Sequence, residues 1–83
     1  MKRTVLYSPS AEKWLACCTP VIRNRIMSKI EYYSRQENLH AYAKKLSASS
    51  LYRFRIGSYR VIFRNRDTII DIAIIGKRDE IYK

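Results

Sequence analysis

A chain of 83 residues makes one domain, 1–83, and leaves no room for a second core. With 47% hydrophobic residues and only 2 Gly and 2 Pro, it is neither disordered nor low in complexity. Seventeen Lys and Arg against seven Asp and Glu leave a net charge of +10, which suits a polyanionic partner such as nucleic acid, a ribosome or an acidic protein. A membrane is not expected: the longest apolar run falls far short of the roughly 18 residues that cross a bilayer. Met1-Lys2-Arg3 leads into a polar, proline-containing turn instead of an apolar signal segment, so a cytoplasmic protein is expected.

Residues 3–7 (RTVLY) are rich in β-formers and predict a short strand. Ser8-Pro9 ends it and opens a helix, serine as N-cap and proline at the first helical position, where its missing N–H costs nothing. Ala11, Trp14, Leu15 and Cys18 recur at i, i+3, i+4 and i+7 and form one apolar stripe, which makes Trp14 a core residue. Cys17 and Cys18 are adjacent and lack a second His/Cys pair, so they fit neither a zinc site nor a disulfide framework and read as reduced thiols. No metal or small-molecule cofactor is expected. Thr19-Pro20 repeats the start signal for a second helix, whose seam is Ile22, Ile26, Ile30 and Tyr33, with Met27 beside it. Arg23, Asn24, Arg25, Ser28, Lys29 and Glu31 take the outer side, which reads as a solvated face, with contact to a phosphate backbone as the alternative. Two such helices form a hairpin lying on a sheet. Residues 34–50 are the loosest stretch. They read as a fraying, weakly helical segment around 42–46 and a loop that carries Lys44 and Lys45, and the sole histidine, His40, has no carboxylate at recognisable spacing.

The clearest signal is LYRFRIGSYRVIF, residues 51–63, in which two runs of period two flank Gly57-Ser58. That pattern predicts two antiparallel strands joined by a tight turn. The register sets Ile56 against Tyr59, Arg55 against Arg60 and Phe54 against Val61. Tyr52, Phe54, Ile56, Tyr59, Val61 and Phe63 then share a buried face, and Arg53, Arg55, Arg60 and Arg64 share the other with Ile62. Like charges directly opposite one another destabilise a strand pair, so Arg55 against Arg60 points to an anionic ligand. Asn65-Arg66-Asp67 reads as a turn, and residues 68–75 (TIIDIAII) as a further strand. Strict alternation sends Ile70, Ile72 and Ile74 to the core and sets Asp71 opposite Ile62, diagonal to Arg60 and Arg64. The last residues, 76–83, are expected to bring Arg78 and Tyr82 to the arginine face. The expected fold class is α+β: a twisted, mainly antiparallel sheet of a short N-terminal strand and a C-terminal three-stranded meander, with a helix hairpin on one face.

No glycine-rich phosphate loop, paired catalytic carboxylates or Ser/His/Asp set is evident. Clustered guanidinium groups bind phosphate oxygens bidentately and stabilise added negative charge on phosphorus. RNA cleavage by the neighbouring 2′-hydroxyl needs little more, because the substrate supplies the nucleophile. A non-catalytic RNA-binding module would show the same arginines.

The segments LYRFRIGSYRVIF and IGKRDEIYK resemble the second half of toxins in the RelE/ParE superfamily of bacterial toxin–antitoxin systems. Their order of strand, two helices and sheet also matches. The resemblance implies a RelE-like fold and, in the RelE-like branch, catalytic roles for Arg60, Arg78 and Tyr82, with Arg53 and Arg55 as basic strand residues. Arg64, Lys44, Lys45 and Lys77 are the further candidates for phosphate contact. It implies a metal-independent mRNA interferase working on messages in the ribosomal A site, and a cognate antitoxin as partner. One departure matters: arginines stand where well-known members of the branch have strand lysines, and arginine, with a pKa above about 12, does not act as a general base. Tyr82 is then the candidate base or base-stacking residue, and Arg78 the candidate for leaving-group stabilisation. Two alternatives share the fold or the charge: a ParE-like gyrase inhibitor, and a non-catalytic RNA- or ribosome-binding domain.

Overall fold

The structure is a computed structural model that describes residues 3–46 and 50–77. The elements are β1 (Thr4–Tyr7), α1 (Pro9–Ala16), α2 (Pro20–Ser34), a single 3₁₀ turn (Leu39–Ala41), β2 (Ala43–Lys45), β3 (Leu51–Ile56), β4 (Tyr59–Arg66) and β5 (Ile69–Lys77). They build one five-stranded sheet in the order β1-β5-β4-β3-β2. β2, β3, β4 and β5 pair antiparallel in sequence, and β1 adds parallel to β5. The helices cover one face, giving the expected α+β fold with one strand more than anticipated.

Both helices begin as their sequences dictate. Ser8 and Thr19 hold extended backbone and their side-chain oxygens accept from the N–H of Ala11 and Ile22, with proline in the first turn of each helix. The Ser8 hydroxyl does more: it also donates to the carbonyl of Ala73, at 2.7 Å. Arg23 closes the turn between the helices, Nε donating to the Leu15 carbonyl at 2.9 Å and Nη2 to that of Cys18 at 3.2 Å. These are carbonyls at the end of α1, where a cation is favourable. Arg3 does the same for α2, donating from Nη1 to the Gln36 carbonyl at 2.6 Å. Cys17 and Cys18 sit at the first of these turns without a disulfide, and burial pushes the Cys18 thiol up against an opposing pull from Arg23.

The core lies between helices and sheet. Ala11, Leu15, Ile26 and Ile30 meet Phe54, Ile56, Val61, Phe63, Ile70, Ile72 and Ile75. Phe54 and Phe63 stack at 4.3 Å between ring centroids, and Tyr33 tilts onto Phe54 at 4.8 Å. Each such ring, fully buried, contributes about 1.5–3 kcal/mol. Trp14 packs edge-on to Tyr59 at 5.6 Å, the core position its stripe predicts.

Three local expectations need correction. Residues 42–46 are not helical: Ala43–Lys45 pairs with Phe54, Arg53 and Tyr52 as an edge strand, where pairing overrides the helix preference of Ala and Lys. Asn65 and Arg66 belong to β4, and the turn falls at Asp67-Thr68, Asp67 taking φ +57°, a conformation aspartate tolerates. The alternation of β5 also breaks. Phe63 faces Ile72 but Ile62 faces Ile74, so Ala73 is the extra residue of a β-bulge. Past the bulge the strand changes face: Ile75 is buried, whereas Ile74 is 46% exposed.

Candidate functional site

Directly opposed residues of neighbouring strands lie on the same face of a sheet, so the register lays out the helix-free face rung by rung. The Gly57-Ser58 turn, with Gly57 at φ +59°, sets β3 against β4 as anticipated. One rung runs Arg55, Arg60, Gly76. The next runs Lys44, Arg53, Ile62, Ile74. A third runs Leu51, Arg64, Asp71, Leu6. Lys44, Arg53, Arg55, Arg60 and Arg64 therefore share one face, drawn from three strands. Lys44, expected on a loop, reaches this face through the pairing of β2, which nothing in its own segment of sequence signals.

The environments of these cations differ. Arg55 and Arg64 are exposed and Arg53 is half-buried, while Arg60 is only 3% exposed. Arg60 was expected to stand in solvent; it occupies the middle strand of the sheet instead, between Arg55 and a glycine. Gly76 contributes no side chain to this rung. A guanidinium removed from water interacts more strongly with an anion than an exposed one, since the local dielectric is lower.

The remaining candidates fall elsewhere. Lys45 pairs with Tyr52 and Lys77 with Tyr59, so both belong to rungs of the helix-covered side, at its exposed rim. Arg78 and Tyr82 lie outside the described residues. Asp71 stands opposite Arg64 and not Ile62, and its Oδ2 pairs with Arg66 Nη2 at 2.6 Å. The bulge shifts its partner: Asp71 holds Arg66 at the end of the strand and does not neutralise the central arginines by a salt bridge. His40 is exposed and tilts against the ring of Tyr52 at 5.5 Å. Among the described residues no three His, Cys, Asp or Glu side chains come together in a metal-binding group. None of the described helices is long and apolar enough to cross a membrane.

Such a face can bind a chain of phosphates and stabilise additional charge on one of them, through paired guanidinium groups around Arg60. Its described part holds no carboxylate or imidazole beside Arg60 to move a proton.

Residues 5–82 match the model of a family described as the ParE toxin of type II toxin–antitoxin systems, parDE. No curated protein matches the chain. Among solved structures, the toxin–antitoxin complex RelBE2 of Mycobacterium tuberculosis contains a chain similar to this one at 22% identity, with a TM-score of 0.80 over 94% of this chain and 93% of that one. The RelB–RelE complex of Methanococcus jannaschii contains one at 26% identity, with a TM-score of 0.72 over 93% and 94%. The isolated E. coli RelE toxin has 17% identity and a TM-score of 0.76 over 96% and 90%.

Proposed function

The chain belongs to the ParE toxin family of type II toxin–antitoxin systems, and from its arginine face we propose that it is a ribosome-dependent endoribonuclease that cleaves messenger RNA without a metal ion. A toxin of such a system has a cognate antitoxin as its partner. The observation that carries the nuclease reading is the central rung: Arg55 and Arg60 face each other directly, with Arg60 withdrawn from water. A phosphodiester lying across this rung would be within reach of both guanidinium groups, which bind phosphate oxygens bidentately.

The 2′-hydroxyl of the message attacks the adjacent phosphorus, the P–O5′ bond breaks, and a cyclic phosphate and a 5′-hydroxyl result. Arg60 stabilises the charge that builds on the phosphorane oxygens, and Arg55 fixes a non-bridging oxygen from the solvent side. Arg53, Arg64 and Lys44 hold neighbouring phosphates and set the register of the message. Arg78 stabilises the leaving 5′-oxygen until water protonates it, and Tyr82 either takes the proton of the 2′-hydroxyl itself or stacks on a base and orients that hydroxyl to lose its proton to water. Lys45 and Lys77, at the rim, add general attraction for RNA.

Mapping the 5′ ends of messages in cells induced for wild type, Arg55→Ala, Arg60→Lys and Arg78→Ala tests this. Wild type should produce breaks inside codons, and Arg55→Ala should lower them about a hundredfold, the scale of removing one charge-stabilising donor. Arg55 is exposed, so its loss leaves the fold intact; Arg60→Ala would mix chemistry with a core perturbation. Intact messages accompanied by DNA breaks and an SOS response would replace this reading with gyrase inhibition, which the ParE description of the family favours.

A further inference from the structure

A second basic surface lies on the helix-covered side of the molecule, away from the arginine face. Arg25, Lys29 and Tyr32 are spaced four and three apart and so line one flank of α2. With Ser28 they line a shallow groove of about 350 Å³. The acidic residue of α2, Glu31, lies on the opposite flank in a groove with Arg3, Tyr7 and Met27, and it pairs with Arg35 at 3.3 Å. The helix is thus electrostatically two-sided, and among the described residues the Arg25–Tyr32 groove is lined by positive charge alone.

This flank ends in aromatic rings open to solvent. Tyr32 is 51% exposed and Tyr42 39% exposed. The two rings meet edge to face at 6.0 Å and 87°. Tyr33 stacks on Tyr42 at 5.1 Å and is itself seated on Phe54 of the core, so the exposed rings stand on a rigid base. A hydrogen bond with Tyr32 raises the Tyr42 phenol above its ordinary 10.0, so it stays neutral across physiological pH. Lys29 Nζ lies 6.0 Å from the Tyr32 ring centroid. Exposed, buttressed rings beside unopposed cations form a stacking platform with phosphate contacts at its edge, the arrangement that binds single-stranded nucleic acid without reading its sequence.

We propose that Arg25, Lys29, Tyr32 and Tyr42 form a docking surface for an unpaired RNA segment, separate from the arginine face. A base stacks on Tyr32 or Tyr42, and the adjoining phosphates meet Arg25 and Lys29. The surface binds RNA whether or not the arginine face cleaves it.

The test is fluorescence anisotropy of a labelled, unstructured 12-nucleotide RNA with the purified full chain, in the Arg55→Ala background to weaken the first face. Tyr32→Ala should weaken binding roughly tenfold and Tyr32→Phe should leave it unchanged, since the ring and not the hydroxyl stacks. Arg25→Ala with Lys29→Ala should lower the slope of log affinity against log salt by about 1.4, two phosphate contacts on a single strand. Thermal melts matching the parent would assign these losses to binding. RNA affinity unchanged in both variants overturns the proposal, as does a loss confined to an acidic peptide or antitoxin while RNA binding holds. Either result leaves the cleavage reading standing, because that is measured by 5′ ends in the unmodified background.

Discussion

At the scale of single residues, Ser8 is the clearest case of one side chain meeting two demands. Its oxygen accepts from the Ala11 N–H and its proton goes to the Ala73 carbonyl, so one hydroxyl caps α1 and satisfies a group that the bulge removes from the strand ladder. Ser8→Ala should therefore cost more than an ordinary cap, about 2–4 kcal/mol, the sum of a cap near 1 and a stranded carbonyl of 1–3. Ser8→Asp should recover the cap and not the second bond, giving a melting temperature between the two. The cap itself was legible from Ser8-Pro9; its second bond was not, because no local pattern links residue 8 to residue 73. Arg60 shows the same limit. Its place opposite Arg55 follows from the turn at Gly57-Ser58, but its withdrawal from solvent has no local signal, since Arg64 on the same strand and face stays exposed.

At the scale of elements, strong periodicity was reliable and weak periodicity was not. Both helix stripes and the β3–β4 hairpin read directly, since each has apolar residues at one spacing and polar residues between them. The segment TIIDIAII offers isoleucine at 69, 70, 72, 74 and 75, so hydrophobicity alone does not choose between Ile74 and Ile75 once Ala73 allows a bulge. The consequence is measurable by denaturant unfolding. Ile75→Ala should cost about 2–4 kcal/mol, whereas Ile74→Ala, on the open face and 46% exposed, should cost under about 1. Equal costs would contradict the change of face. β2 escaped detection for a different reason: three residues rich in Ala and Lys carry no strand signal of their own, and their lysines are typical of an edge kept from further pairing.

At the scale of the whole molecule, the excess of positive charge resolves into two territories on opposite sides of the sheet. Composition foretold the excess, and the hairpin register foretold the first territory. The second needed Tyr42 brought beside Tyr32, a contact across the loosest part of the chain. The fold as a unit also has an alkaline limit. Burial, then the Glu31 carboxylate, raises the Tyr7 phenol above its ordinary 10.0. The folded state thus favours the neutral phenol; its contribution is complete below the unfolded pKa near 10 and disappears as pH climbs through the folded value. Tyr7→Phe has no proton to lose, so its stability should decline less steeply above pH 10 than that of wild type, measured by urea midpoints along a pH series.

The parallel pairing of Thr4 with Ile69 and Tyr7 with Ile72 bears on how the molecule is made. β1 finds its neighbour in β5, so more than sixty intervening residues must be made before that edge closes. Gly76, beside Arg60, belongs to the same late strand. A chain translated only through β4 therefore lacks both its closed edge and its central rung, and the arginine face is not complete until β5 has emerged to lie against both β4 and β1.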